Sequence, residues 1–67
     1  MNTLQPHQQR VVDEKRELDG RIERLNAFFR TSTFHGLDDA EQGRLSRQAG
    51  IMMQYSAVPG ERIAAFD

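Results

Sequence analysis

The sequence predicts an all-α protein: a long antiparallel two-helix hairpin, kinked near Pro59, that assembles into a helical-bundle oligomer. Three observations lead there. Apolar residues recur every seven positions in each half, as Leu4, Val11, Leu18 and Leu25 and then as Leu45, Met52, Pro59 and Phe66. Such a repeat belongs to helices packed along a shared seam. Between the two ladders the only loop-like run is Thr31-Ser32-Thr33-Phe34-His35-Gly36. With 67 residues and no cysteine, two helices have no third layer and no disulfide to complete a core, so oligomerisation is the expected source of one. The chain reads as one domain over residues 1–67, with a helix at about 6–30, a loop at about 31–37 and a helix at about 38–66.

The first helix starts at Pro6, where the missing N–H would have had no partner in any case. Gly20 weakens it by about 1 kcal/mol relative to alanine without ending it. Val11, Leu18, Ile22, Leu25, Phe28 and Phe29 form its core stripe, widening toward the C-terminal end. Asp13, Arg16, Glu17 and Glu23 make the opposite, solvated face. Phe34 and Leu37 are placed to plug the hairpin where Phe28 and Phe29 arrive.

The second helix opens with Asp38 as N-cap and Glu41 three residues later, a capping-box pattern with negative charge at the positive end of the helix. Pro59-Gly60 interrupts it. An interior proline removes a hydrogen bond and clashes with the preceding turn, at a cost of about 3 kcal/mol, so a kink or break is expected there. The short connection makes the helices antiparallel neighbours. His7 and the first turn then approach Arg62 and Phe66, and the apolar mass gathers at the loop end.

Each ladder has a companion row three positions on: His7, Glu14, Arg21 and Phe28 in the first half, Gln48, Tyr55 and Arg62 in the second. A plain coiled coil wants both rows apolar. These are polar almost throughout, which predicts a polar seam that must pair internally or meet a ligand. One reading has Glu14 pairing with an arginine to fix register, and Tyr55 as a core residue whose hydroxyl finds a single partner. In the other, His7 offers a planar ring and the arginines offer donors to phosphate.

Composition excludes several classes. The net charge of −1 argues against binding duplex nucleic acid by bulk attraction. The imbalance is local, with six basic against five acidic residues in 1–36 and three against five beyond. No signal-like leader and no apolar run of membrane-spanning length is visible, so no membrane is expected and a cytoplasmic location is. Nothing supplies a nucleophile–base pair, a glycine-rich phosphate loop or a zinc motif, and His7 and His35 are too far apart in a hairpin to share a metal. The expectation is a non-enzyme with no metal and no cofactor.

The run His7-Gln8-Gln9-Arg10-Val11-Val12-Asp13-Glu14-Lys15, the ladder Leu18, Ile22, Leu25-Asn26-Ala27-Phe28, and Arg44-Leu45, Gln48, Met52, Tyr55 and Glu61-Arg62-Ile63 occur in this order. Together they resemble the phage-encoded hairpin family of anti-CBASS and anti-Thoeris sponge proteins, over roughly residues 7–66. The resemblance implies a hairpin that dimerises and commonly forms a hexamer. It also implies binding, without hydrolysis, of a cyclic di- or trinucleotide or a cyclic ADP-ribose isomer inside the bacterial host cell. The implied ligand residues are His7, Arg10, Glu14, Arg24, Asn26, Tyr55 and Arg62. His7, or the amides of Gln8 and Gln9, takes the stacking role of a planar residue, Arg24 and Asn26 the polar role on the first helix, and Arg62 that of the late arginine. This chain has no other aromatic residue near the start of the first helix, and Pro59 stands where an apolar residue is expected. The alternative is a structural or protein-interaction hairpin oligomer with no small-molecule ligand, in which the polar rows only set register.

Overall fold

The computed structural model describes residues 3–66; Met1, Asn2 and Asp67, the ends of the predicted domain, lie outside them. Among the described residues there is no strand. Three helices follow one another: α1 (Pro6–Phe28), α2 (Ser32–His35) and α3 (Asp39–Ala64). The two long helices pack side by side over a body of 50 × 16 × 14 Å.

Local chemistry sets the boundaries. At the start of α1, with Pro6 at N1, the Gln8 side chain accepts the Gln5 backbone N–H at 2.9 Å. The helix ends at Phe28, two residues before the expected end, because Arg30 and Thr31 donate their N–H groups to Ala27 and Phe28 in a tightened last turn. The Thr31 hydroxyl donates to the Phe28 carbonyl at 2.7 Å, then accepts the Phe34 N–H at 3.2 Å as the N-cap of α2. The stretch expected to be loop thus holds a helical turn. Its purpose is packing: Phe34 is buried, its ring edge-on to Phe28 and Phe29 at centroid distances of 5.9 and 4.8 Å. This is the plug that the aromatic spacing predicted.

Asp38 caps α3 by accepting the Glu41 N–H at 2.7 Å. The Glu41 carboxylate does not complete the box; it accepts from Arg44 Nε at 2.7 Å instead. Gln42 ties the connection down by donating to the Leu37 carbonyl at 2.8 Å.

The break expected at Pro59-Gly60 does not occur, and α3 runs through both residues to Ala64. Pro59 is buried in the contact with α1. Packing of that ring offsets the missing backbone hydrogen bond, and tertiary packing is where most helix stability comes from. Beside it Gly60 lies against Lys15, where a Cβ would make ordinary contact at 3.4 Å from Lys15 Cε.

The seam itself differs from the expected one. The apolar ladders form it from Val11 on, Leu4 being exposed, but their companions are the residues four positions on; of those three positions on, Phe28 alone among the described residues is half-buried. On α1, Gln8, Lys15, Ile22 and Phe29 are half-buried beside Val11, Leu18 and Leu25. On α3, Ala49 and Ser56 are buried and Ile63 half-buried beside Leu45, Met52 and Pro59. His7, Glu14, Arg21, Gln48, Tyr55 and Arg62 are all exposed. The residues three and four after a ladder position lie on opposite sides of it. The helix turns inward whichever side offers more apolar or small groups, here Ile22, Phe29, Ala49 and Ile63. The polar rows flank the seam; they do not build it.

Nor is the open end wholly wet. Val11 and Pro59 are buried there, at the end where the apolar gradient predicted polar groups. Even so, no side chain among the described residues is fully buried. The hairpin has a contact line and no closed interior.

Candidate functional site

The exposed rows converge on one flank. The Tyr55 hydroxyl on α3 donates to Glu14 Oε1 on α1. Moving one heptad either way from that pair along antiparallel helices places His7 level with Arg62 and Arg21 level with Gln48. A hollow of about 240 Å³ opens at the pair, lined by Glu14, Glu17, Leu18, Arg21 and Tyr55. On α1 the same flank carries Arg10, Glu14, Glu17, Arg21 and Arg24 at alternating spacings of four and three, so they form a single stripe.

Arginines outnumber carboxylates on this flank, with Arg10, Arg21, Arg24 and Arg62 against Glu14 and Glu17. Both of its α1 carboxylates are occupied, Glu14 by Tyr55 and Glu17 by Arg21 Nη2 at 2.7 Å. Arg10, Arg24 and Arg62 form no ion pair among the described residues. Arg24 curls back over Gly20, where a Cβ would meet Nη1 at 3.5 Å. The hydrogen bond to Glu14, reinforced by its negative charge, holds the Tyr55 phenol above its ordinary range, and Arg62 opposes this weakly. Tyr55 is therefore an exposed, neutral donor with its ring half open to solvent, not the core residue expected. Glu14 takes a tyrosine where an arginine was expected.

The opposite flank holds larger hollows. One of about 530 Å³ is lined by Val12, Lys15, Arg16, Asp19, Gly20, Glu23 and Ile63. Another of about 510 Å³ is lined by Asp19, Ile22, Glu23, Asn26, Ala27 and Arg30. Size alone would favour them as ligand sites. Asp19 and Glu23 border both, however, and would face any phosphate placed there. Asn26 lies on this side, so the structure does not bring it together with Glu14, Tyr55 and Arg62. His7, Arg10, Glu14, Tyr55 and Arg62 occupy the other flank, where Glu14 and Tyr55 are hydrogen-bonded; Arg24 stands at its far edge, its guanidinium beside Gly20, which lines the larger hollow.

The sequence reading passed over one cluster. Lys15 Nζ donates to Asp19 Oδ2 and to Ser56 Oγ, each at 2.9 Å, and the Ser56 hydroxyl donates to Asp19 Oδ1. Ser56 is buried, and these bonds satisfy it. The Asp19 carboxyl is held below its ordinary range, first by the hydrogen bond from Lys15 and then by that from Ser56. This single polar layer crosses the seam and fixes its register, as one buried polar position can. Its signal was present: Lys15 and Ser56 each stand four residues after a ladder position, and Asp19 four after Lys15.

No cluster of His, Asp or Glu among the described residues could hold a metal ion. No helix among them is long and apolar enough to cross a membrane. A family model described as Sequestin matches residues 5–65. No curated protein and no solved structure matches the chain.

Proposed function

The chain belongs to the Sequestin family, the phage cyclic-nucleotide sponges, and from that premise we propose that it is a single-domain hairpin that captures a cyclic oligonucleotide or cyclic ADP-ribose immune signal without hydrolysing it. Holding the signal away from its effector would block anti-phage signalling in the host cytoplasm. The ligand is held on the Tyr55 flank. Tyr55 and His7 offer rings to the bases, and Arg10, Arg24 and Arg62 offer donors to the phosphates. Glu14 orients the tyrosine and accepts from base edges. A small cyclic ligand with two or three charges needs a few focused donors and no broadly basic surface, in keeping with a net charge of −1.

The observation that carries this reading is the pairing of Glu14 with Tyr55. It turns Glu14 toward a neutral hydroxyl and not toward an arginine, so that Arg10 and Arg62 beside it carry no ion pair among the described residues, while the carboxylate keeps its charge. Assembly belongs to the same proposal. A hairpin with no fully buried side chain among the described residues gains a core by packing with copies of itself, as a dimer or as a hexamer built from dimers.

Isothermal titration against cyclic di- and trinucleotides and cyclic ADP-ribose isomers tests the proposal, with chromatography of the released ligand. Micromolar or tighter binding of one class, with the ligand recovered intact, is the expected result. Binding to none of them leaves the structural hairpin oligomer as the better account, and recovery of a linear product would make the protein a hydrolase.

A further inference from the structure

Two residues of the Tyr55 flank have no part in the function proposed above. Glu17 and Arg21 line the hollow of about 240 Å³ beside Tyr55, joined to each other by one bond of 2.7 Å from Arg21 Nη2 to Glu17 Oε1. Their side chains are largely open to solvent, at 66 % and 59 %. An exposed pair one helical turn apart adds little to stability. It does hold two polar groups in a fixed row at the wall of the hollow.

That row has a chemical pattern. Glu17 Oε2 receives no hydrogen bond among the described residues, Oε1 keeps a second lone pair, and Arg21 uses only one of its donors on the bond. The pair therefore presents two acceptors followed by a donor. Among the common bases, guanine alone carries the complement on its Watson–Crick edge, where the N2 amine and N1–H donate and O6 accepts. Adenine and cytosine set a ring acceptor beside a single amine, and uracil sets one donor between two carbonyls. Each of these turns an acceptor toward the carboxylate.

Size and setting agree. The hollow is smaller than the roughly 300 Å³ at which pockets take whole small molecules, so it has room for one base, with the phosphates left outside among the arginines. Tyr55 adds an aromatic face to the same hollow. Stacking accepts any base, which leaves discrimination to the edge. The Lys15–Asp19 pair also borders a hollow, but both Asp19 oxygens are already engaged, Oδ2 by Lys15 and Oδ1 by Ser56.

We infer that the hollow beside Tyr55 reads a guanine base of the captured ligand, with Glu17 accepting from N1–H and the N2 amine and Arg21 donating to O6. The inference rests on the function proposed above for its class of ligand and specifies the base. Glu17 and Arg21 are neutral as a unit, so they face a phosphate-bearing ligand with less repulsion than a lone carboxylate would. A base without the two donors leaves the carboxylate against an acceptor, and selectivity arises from that mismatch.

Mononucleotides test the hollow by itself. Guanosine, inosine and adenosine 5′-monophosphates carry the same ribose phosphate; inosine lacks the N2 amine, and adenosine lacks both donors. Proton resonances of the sole tyrosine follow each titration in the full chain. The guanosine form is expected to bind about tenfold more tightly than the adenosine form, with inosine between them. In Glu17→Gln the preference should fall to within about twofold, because an amide offers one acceptor where the carboxylate offered two. Removing a negative charge helps every phosphate-bearing ligand, so the ratio is the readout and not the affinity. Glu23→Gln, which removes the same charge from the opposite flank, should keep the parent ratio.

Guanosine and adenosine forms that bind alike, a guanosine form that leaves Tyr55 unshifted at millimolar concentration, or a preference that survives Glu17→Gln overturns the inference. The panel of cyclic nucleotides separates it from the sponge reading. A guanine preference among mononucleotides with no cyclic signal bound keeps the base-reading hollow and removes the sponge. A cyclic dinucleotide bound equally well in its guanine and adenine forms keeps the sponge and removes the guanine reading.

Discussion

The Tyr55 hydroxyl on α3 donates to the Glu14 carboxylate on α1, joining two exposed rows whose residues stand 41 positions apart in sequence. With the register fixed by the Lys15–Asp19–Ser56 layer, this bond joins the two polar rows and makes Glu14 a support for the aromatic ring.

The pair has a titration signature. Glu14 raises the Tyr55 phenol above its ordinary value of 10.0, so the contact stabilises the hairpin below that value and is lost as pH rises through the higher folded value. Tyr55 is the sole tyrosine and the chain has no tryptophan, so near-ultraviolet absorbance follows it alone. The tyrosinate midpoint is expected above 10.0, and in Glu14→Gln it should fall back toward 10.0. Coincident midpoints in the two proteins would refute the contact in solution.

Asp19 gives the opposite sign. Lys15 and Ser56 hold it below its ordinary value of 3.8, so the layer is fully in place above that value and is lost as pH falls through the lower folded one. Asp19→Asn is expected to lower the urea midpoint at neutral pH. The gap to the parent protein should shrink progressively once pH drops below 3.8. A gap that stays constant into strong acid would mean that the carboxylate charge contributes nothing.

Phe34→Ala removes the buried ring that Phe28 and Phe29 meet edge-on. A loss of about 3 kcal/mol is expected, a large share of the stability of so small a chain. Thermal melting by circular dichroism should show a large fall in Tm, and at low protein concentration a largely unfolded chain. A shift of only a degree or two would show that the aromatic cluster is not what closes the loop end.

The two flanks predict different outcomes for two candidate ligand residues. Arg62→Ala should weaken binding of the captured signal by about tenfold or more, because a charge-assisted bond is lost. Asn26→Ala, on the flank bordered by Asp19 and Glu23, should leave affinity within about twofold. Titration calorimetry on both variants decides the matter. A reversed ranking would move the site to the larger hollows.

Much of this molecule was legible from the residues themselves. Pro6, the Asp38 cap and the apolar ladders placed both long helices to within about two residues, and the aromatic spacing placed the plug at the loop end. Two features misled. Of the kink or break expected at Pro59 the break does not occur, because a local rule knows the lost hydrogen bond and not the packing that offsets it. Thr31 to Gly36 reads as a loop because a single helical turn has too few residues to show a period.

The flanking rows carry the general lesson. Heptad spacing determined that each helix has a stripe, and it named the residues on either side of that stripe. It could not decide which side turns inward. A helical period of 3.6 leaves the third and fourth residues after a ladder position almost equally close to the seam. The choice is made only when both helices are present, by how much apolar surface their mutual rotation buries. That rotation placed Lys15 and Ser56 in the contact and left His7, Glu14, Tyr55 and Arg62 outside it, on the flank where a ligand can reach them.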